Sequence, residues 1–126
     1  MSSSTMTPSD VLNNMRRKMG GKAPRAIELA ADALPEMVLE QARSSAFAMP
    51  PEGGALDEQT RTLIYLGIAL ATGSQACVEA MLNKAGALGI EKPRLLETFK
   101  IARYAEATRV VGNAEHFFER MAQDGK

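Results

Sequence analysis

The residue best suited to chemistry is Cys77, the single cysteine in a chain of 126 residues. It lies three residues after Ser74, a residue type that caps helices by accepting a backbone N–H. If Ser74 begins a helix, Cys77 occupies the first turn, where unpaired N–H groups stabilise a thiolate and lower its pKa. The alternative is a structural role, because a free cysteine often packs only as a small hydrophobic residue.

Acid–base groups are the second class of candidates. His116 is the only histidine, but it lies far along the chain from Cys77, and a surface histidine is the simpler interpretation. Glu36 and Glu40 lie one turn apart on a predicted helix, where a solvated face explains their spacing more simply than a site does. No two potential metal ligands have a recognised spacing, so we predict no metal and no other cofactor.

Two helices joined by a tight break must position Cys77. Residues 63–71 contain no charge, and with its polar lead-in this apolar segment is long for a strand but ordinary for a helix. Asp57 is a good N-cap for it, and Gly73 is a good stop before Ser74. Such a helix packs among other helices or against a partner subunit. It is too short to span a membrane, which needs roughly 20 apolar residues.

Prolines, glycines and capping residues divide the rest of the chain into further helices. We predict an all-α fold of six or seven helices with an antiparallel pair at its centre. Residues 1–6 are predicted to be a disordered tail, and residues 7–126 a single domain with its core in residues 56–112. The predicted helix starts are Thr7, Asp57, Ser74, Asn113 and the prolines 24, 35 and 93, and the predicted breaks are residues 20–21, 49–54 and 112.

Composition limits the partners and the compartment. Fifteen basic and fifteen acidic residues cancel, which argues against nucleic acid as a main partner. We also expect no association with a membrane. One cysteine excludes a disulfide within the chain, and without a recognisable signal peptide it predicts a reducing cytoplasm.

From about residue 56 to residue 112 the chain resembles the carboxymuconolactone decarboxylase family, which includes the alkylhydroperoxidase-D-like proteins. The segments that carry the resemblance are LDEQTRTLI, the Cys77 position, MLNKAGALG and LLETFKIARYA. The resemblance implies an alkylhydroperoxidase-D-like helical bundle. It also implies assembly as a homo-oligomer, either a trimer or a hexamer built from trimers.

The redox branch of that family typically carries Cys-x-x-Cys-x-x-x-His, followed by Ala and Gly at steps of four, with a glutamate twelve residues before the first cysteine. Ala85 and Gly89 set the register, which places the second cysteine on Cys77. The positions of the first cysteine, the histidine and the glutamate are then occupied by Ser74, Met81 and Thr62.

Three alternative functions follow from the resemblance. In the first, an antioxidant oxidoreductase, Cys77 is the nucleophile of a single-cysteine thiol peroxidase, Ser74 donates a hydrogen bond to its thiolate, and an external thiol is the reductant. The second is lactone decarboxylation, for which Glu106, Glu36 and His116 are the candidate acids and bases. The third is a non-catalytic homo-oligomeric scaffold that binds a small apolar ligand or a protein partner.

Overall fold

The computed structural model describes residues 6–124, and within that range 79% of the residues are helical and none is in a strand. This confirms the predicted all-α fold with six or seven helices. Apart from Met6, the predicted N-terminal tail lies outside the described residues. The helices are α1 (Pro8–Lys18), α2 (Arg25–Ala33), α3 (Glu36–Ala48), α4 (Glu58–Thr72), α5 (Gln75–Leu88), α6 (Lys92–Asn113) and α7 (Glu115–Asp124).

Helices α4 and α5 form the predicted central antiparallel pair. The Asp57 side chain caps α4 by accepting from the backbone N–H of Thr60 at 2.7 Å. Gly73 ends the helix with φ 77°, a left-handed conformation that glycine adopts without a steric penalty. Helix α4 packs on α5 and also on α6, so its apolar sequence is explained by neighbours on two sides.

Helices α1, α2 and α3 pack on one another to form an N-terminal layer. Val11, Leu12 and the fully buried Val38 are the centre of its core. Met19, just after α1, instead packs against the cluster of buried residues that lies between α4 and α5. The two layers therefore meet near the end of α1.

Arg61 connects α4 to the loop that precedes it. Its guanidinium is buried and donates hydrogen bonds to the backbone carbonyls of Leu56 and Pro50. A Cβ at Gly54 would lie 2.6 Å from the Arg61 Nη1 atom, so a side chain at position 54 would displace the guanidinium from its present place. The predicted break at residues 49–54 is thus an ordered turn around one buried cation.

The predicted break at Gly112 and the predicted cap at Asn113 are wrong. Helix α6 continues through both residues, and the backbone N–H of Ala114 closes it by donating to Val111 O at 3.1 Å. A single glycine in a helix costs about 1 kcal/mol, which is too little to stop a helix whose backbone hydrogen bonds continue on both sides.

Candidate functional site

Cys77 is the third residue of α5, in the first turn. As predicted, Ser74 is the N-cap: its Oγ accepts from the Cys77 backbone N–H at 3.4 Å. The Cys77 side chain is half-buried. Its thiol therefore lies at the positive end of the α5 dipole, which favours a negative charge.

The hydroxyl group of Tyr65, on α4, contacts the sulfur of Cys77. The hydroxyl oxygen lies 3.4 Å from Cys77 Sγ, and Tyr65 is also half-buried. Sequence reasoning missed this residue, because Tyr65 was counted only as one member of the uncharged run in α4. No local signal pointed to it, because residues equally far from the break face each other in an antiparallel pair, and Tyr65 lies about one turn farther from Gly73 than Cys77 does.

These contacts change the acidity of both groups. Hydrogen bonding from the Ser74 side chain and from the Tyr65 hydroxyl lowers the pKa of the Cys77 thiol, and partial burial opposes the change. The hydrogen bond to Cys77 also raises the pKa of Tyr65, with burial and the charge of the thiolate adding to the effect. Both changes favour the arrangement in which the protonated phenol of Tyr65 donates to the Cys77 thiolate, over the one in which the phenol ionises.

We expect Tyr65→Phe to raise the pKa of Cys77, because the variant keeps the ring and removes the hydroxyl that stabilises the thiolate. Alkylation of Cys77 by iodoacetamide, followed by mass spectrometry across a pH series, should show a midpoint at higher pH and a several-fold slower reaction at neutral pH. Tyr104→Phe is the matched control, because it removes the same hydroxyl from a tyrosine that makes no hydrogen bond to Cys77 among residues 6–124. An unchanged midpoint in Tyr65→Phe would show that the hydroxyl does not act on the sulfur.

Thr62 and Met81 belong to the core. Thr62 is fully buried, and its Oγ1 donates to the Glu58 carbonyl at 2.9 Å. Met81 is 5% exposed and packs with Leu66 and Ala80. Neither side chain can supply a proton to the sulfur, so both act here by packing.

The other acid–base candidates make contacts away from Cys77. Glu106 accepts from Arg109 Nη2 at 2.7 Å. His116 Nδ1 lies 3.6 Å from Glu119 Oε1, and its side chain is exposed. Glu36 is exposed in the first turn of α3.

Two cavities lie elsewhere in the fold, and Cys77 lines neither of them. One of about 500 Å³ opens between α4 and α6, and its lining is mainly apolar. The other, of about 260 Å³, lies between the N-terminal layer and the α4–α5 pair. Residues 6–124 place no three His, Cys, Asp or Glu side chains where they would share a metal ion. In the same range, no helix combines the length and hydrophobicity that a bilayer crossing requires.

The comparisons with known proteins place the chain in a family. Residues 38–120, from within α3 to within α7, match the model of the Carboxymuconolactone decarboxylase family. No curated protein gives a significant match. The matched segment includes the Cys77–Tyr65 pair and the whole of α4, α5 and α6.

Proposed function

Because the chain belongs to the carboxymuconolactone decarboxylase family, we propose that it is a single-cysteine thiol peroxidase that acts through Cys77. The observation that carries this proposal is the 3.4 Å contact between the Tyr65 hydroxyl and the Cys77 sulfur at the start of α5. Helix dipole, Ser74 and Tyr65 all favour the thiolate, which is the nucleophilic form of cysteine. The proposed substrate is a small organic hydroperoxide.

In the first step the Cys77 thiolate attacks the outer oxygen of the hydroperoxide. An S–O bond forms while the O–O bond breaks, so the sulfur loses two electrons and the peroxide gains them. The leaving alkoxide takes a proton and departs as an alcohol, and the Tyr65 hydroxyl is positioned beside the sulfur to donate it. Tyr65 then regains its proton from solvent, and Cys77 is left as a sulfenic acid.

An external thiol restores the cysteine, because the chain has no second cysteine. The thiol condenses with the sulfenic acid, releasing water and forming a mixed disulfide. A second thiol attacks the reductant's sulfur in that disulfide, which releases reduced Cys77 and an oxidised reductant dimer.

The test combines turnover with trapping. Purified protein should consume more than one equivalent of cumene hydroperoxide only when a small thiol such as dithiothreitol is supplied. Without the thiol, dimedone should label the peptide that contains Cys77 after a single exposure to peroxide. No adduct, together with no consumption above the rate of thiol alone, would reject the peroxidase proposal.

A non-catalytic homo-oligomeric scaffold is the second candidate, and the exposed surface of the C-terminal helices favours assembly. No residue of α6 or α7 between Lys92 and Asp124 is buried. Exposed apolar patches of this extent commonly mark interaction surfaces. The exposed large apolar side chains on these helices are Leu96, Phe99, Ile101, Tyr104, Val110, Val111, Phe117, Phe118 and Met121.

We propose that this surface joins copies of the chain into a trimer or a hexamer, the assemblies that the family resemblance implies. Assembly is compatible with a reactive Cys77 and also with an inert one. In the non-catalytic case the mainly apolar cavity between α4 and α6 would hold a small apolar ligand, or the oligomer would bind a protein partner. Lactone decarboxylation has less support, because it needs an acid and a base in a pocket, and Glu36, Glu106 and His116 line neither of the two cavities described within residues 6–124.

Ile101→Asp should break the assembly, because burying an unpaired carboxylate in an interface costs several kcal/mol. Light scattering after gel filtration should show the wild type at three or six times the 13.6 kDa chain mass and the variant at the mass of one chain. Leu29→Asp is the control: it adds the same charge at an exposed leucine on α2 and should leave the oligomer intact. A monomeric wild type, or an oligomeric Ile101→Asp variant, would contradict the proposed interface.

A further inference from the structure

The cavity of about 260 Å³ has the composition of a binding site and is separate from Cys77. It lies where α1, α2, α3 and the following loop meet the start of α4 and the last turns of α5. Four methionines, Met6, Met15, Met19 and Met49, form part of its wall together with Ile27. Methionine side chains are flexible and polarisable, so such a wall adapts to an aliphatic chain.

Charged groups line one part of the same cavity. Lys84 of α5 and Lys18 of α1 both line it, and Glu58 of α4 is the single carboxylate among its lining residues. Lys84 is half-buried and forms no ion pair among residues 6–124. Burial lowers the pKa of Lys84, Glu58 opposes this, and the positive charges of Lys18 and Arg61 add to the lowering.

The charges around Lys84 therefore leave an excess of positive charge. Arg61 is not among the residues that line the cavity, and its guanidinium donates to backbone carbonyls. Glu58 alone does not balance two lysines, and one further negative charge would. A monoanion matches this excess, whereas a dianion would leave a net negative charge in a cavity that already contains Glu58.

We propose that this cavity binds a medium-chain aliphatic carboxylate, with its carboxylate between Lys84 and Lys18 and its hydrocarbon chain against the methionines. The volume is close to the lower limit for small-molecule sites, about 300 Å³, which favours a short acyl chain. This binding is a further activity beyond the proposed peroxidase, since the cavity does not include Cys77.

Calorimetric titration of the full chain with octanoate tests the site. Octanoate should bind the wild type, octanol should bind about tenfold more weakly or not at all, and octylamine should not bind. Lys84→Met should lower the affinity for octanoate by about tenfold or more, because a hydrogen bond to a charged group is lost. The matched control is Lys92→Met, which alters an exposed lysine at the start of α6. This variant should bind octanoate as tightly as the wild type does.

A second measurement uses the unaltered protein and does not depend on how the variants fold. Octanoate should slow acetylation of Lys84 by acetic anhydride at least several-fold, as read by mass spectrometry, and should leave Lys92 unaffected. Absence of octanoate binding, equal binding of octanol, or unprotected Lys84 would overturn the proposal.

Discussion

Cys77→Ser is expected to abolish thiol-dependent peroxide consumption while leaving the helical fold intact. Serine is nearly the same size as cysteine and occupies the same half-buried place in the first turn of α5. Its hydroxyl remains protonated at neutral pH and cannot form a sulfenic acid, so both the nucleophile and the intermediate are lost. The rate should fall to that of the peroxide and thiol without protein.

Two controls separate a chemical role from a structural one. Circular dichroism and gel filtration should give the same helix content and the same oligomer for Cys77→Ser and for the wild type. Tyr65→Phe should keep measurable activity, because the thiolate is less favoured but still forms at higher pH. Peroxide consumption that persists in Cys77→Ser would place the chemistry on another residue, and the thiol mechanism would be rejected.

Arg61→Leu is expected to lower the free energy of unfolding by about 3 kcal/mol, because a hydrogen bond between a charged group and a carbonyl contributes at least about 1.5 kcal/mol and two are lost. The Pro50 and Leu56 carbonyls would lose their guanidinium partner. Part of the loss is offset, because the Arg61 Nε is buried without a hydrogen-bond partner within residues 6–124. Urea unfolding at a fixed protein concentration measures the difference.

Arg43 provides the matched control for this stability prediction. Its side chain is 74% exposed and pairs with Glu40, so Arg43→Leu should change the free energy of unfolding by less than about 1 kcal/mol. The loss of stability in Arg61→Lys should lie between those of Arg61→Leu and Arg43→Leu, because a compact ammonium group cannot bind both carbonyls as the guanidinium does. Equal stability of Arg61→Leu and Arg43→Leu would mean that the hydrogen bonds from Arg61 to the Pro50 and Leu56 carbonyls contribute little to the free energy of unfolding.

Local sequence determined most helix boundaries. Asp57 and Ser74 each accept a backbone N–H from the residue three positions ahead, and this geometry requires no distant part of the chain. Gly73 ends α4 for a similarly local reason, because it adopts a positive φ without strain. The failure at Gly112 has the same basis: a weak local preference does not stop a helix when the residues on both sides continue it.

The site was only partly predictable. The position of Cys77 in the first turn of α5 followed from Ser74 and Gly73, and so did the expectation of a stabilised thiolate. The resemblance assigns Thr62 and Met81 to motif positions, but the alignment to that motif does not predict that both side chains are buried. Their burial follows from their location on the surfaces where α4 and α5 are packed.

Only the tertiary structure decided which side chains meet across helices. The Tyr65 hydroxyl reaches Cys77, Arg61 reaches the loop carbonyls, and Lys84 lines a cavity with groups from α1 and α4. Each contact depends on how one helix is rotated and shifted against another. That arrangement minimises exposed apolar surface over the whole core, and no short window of sequence contains it.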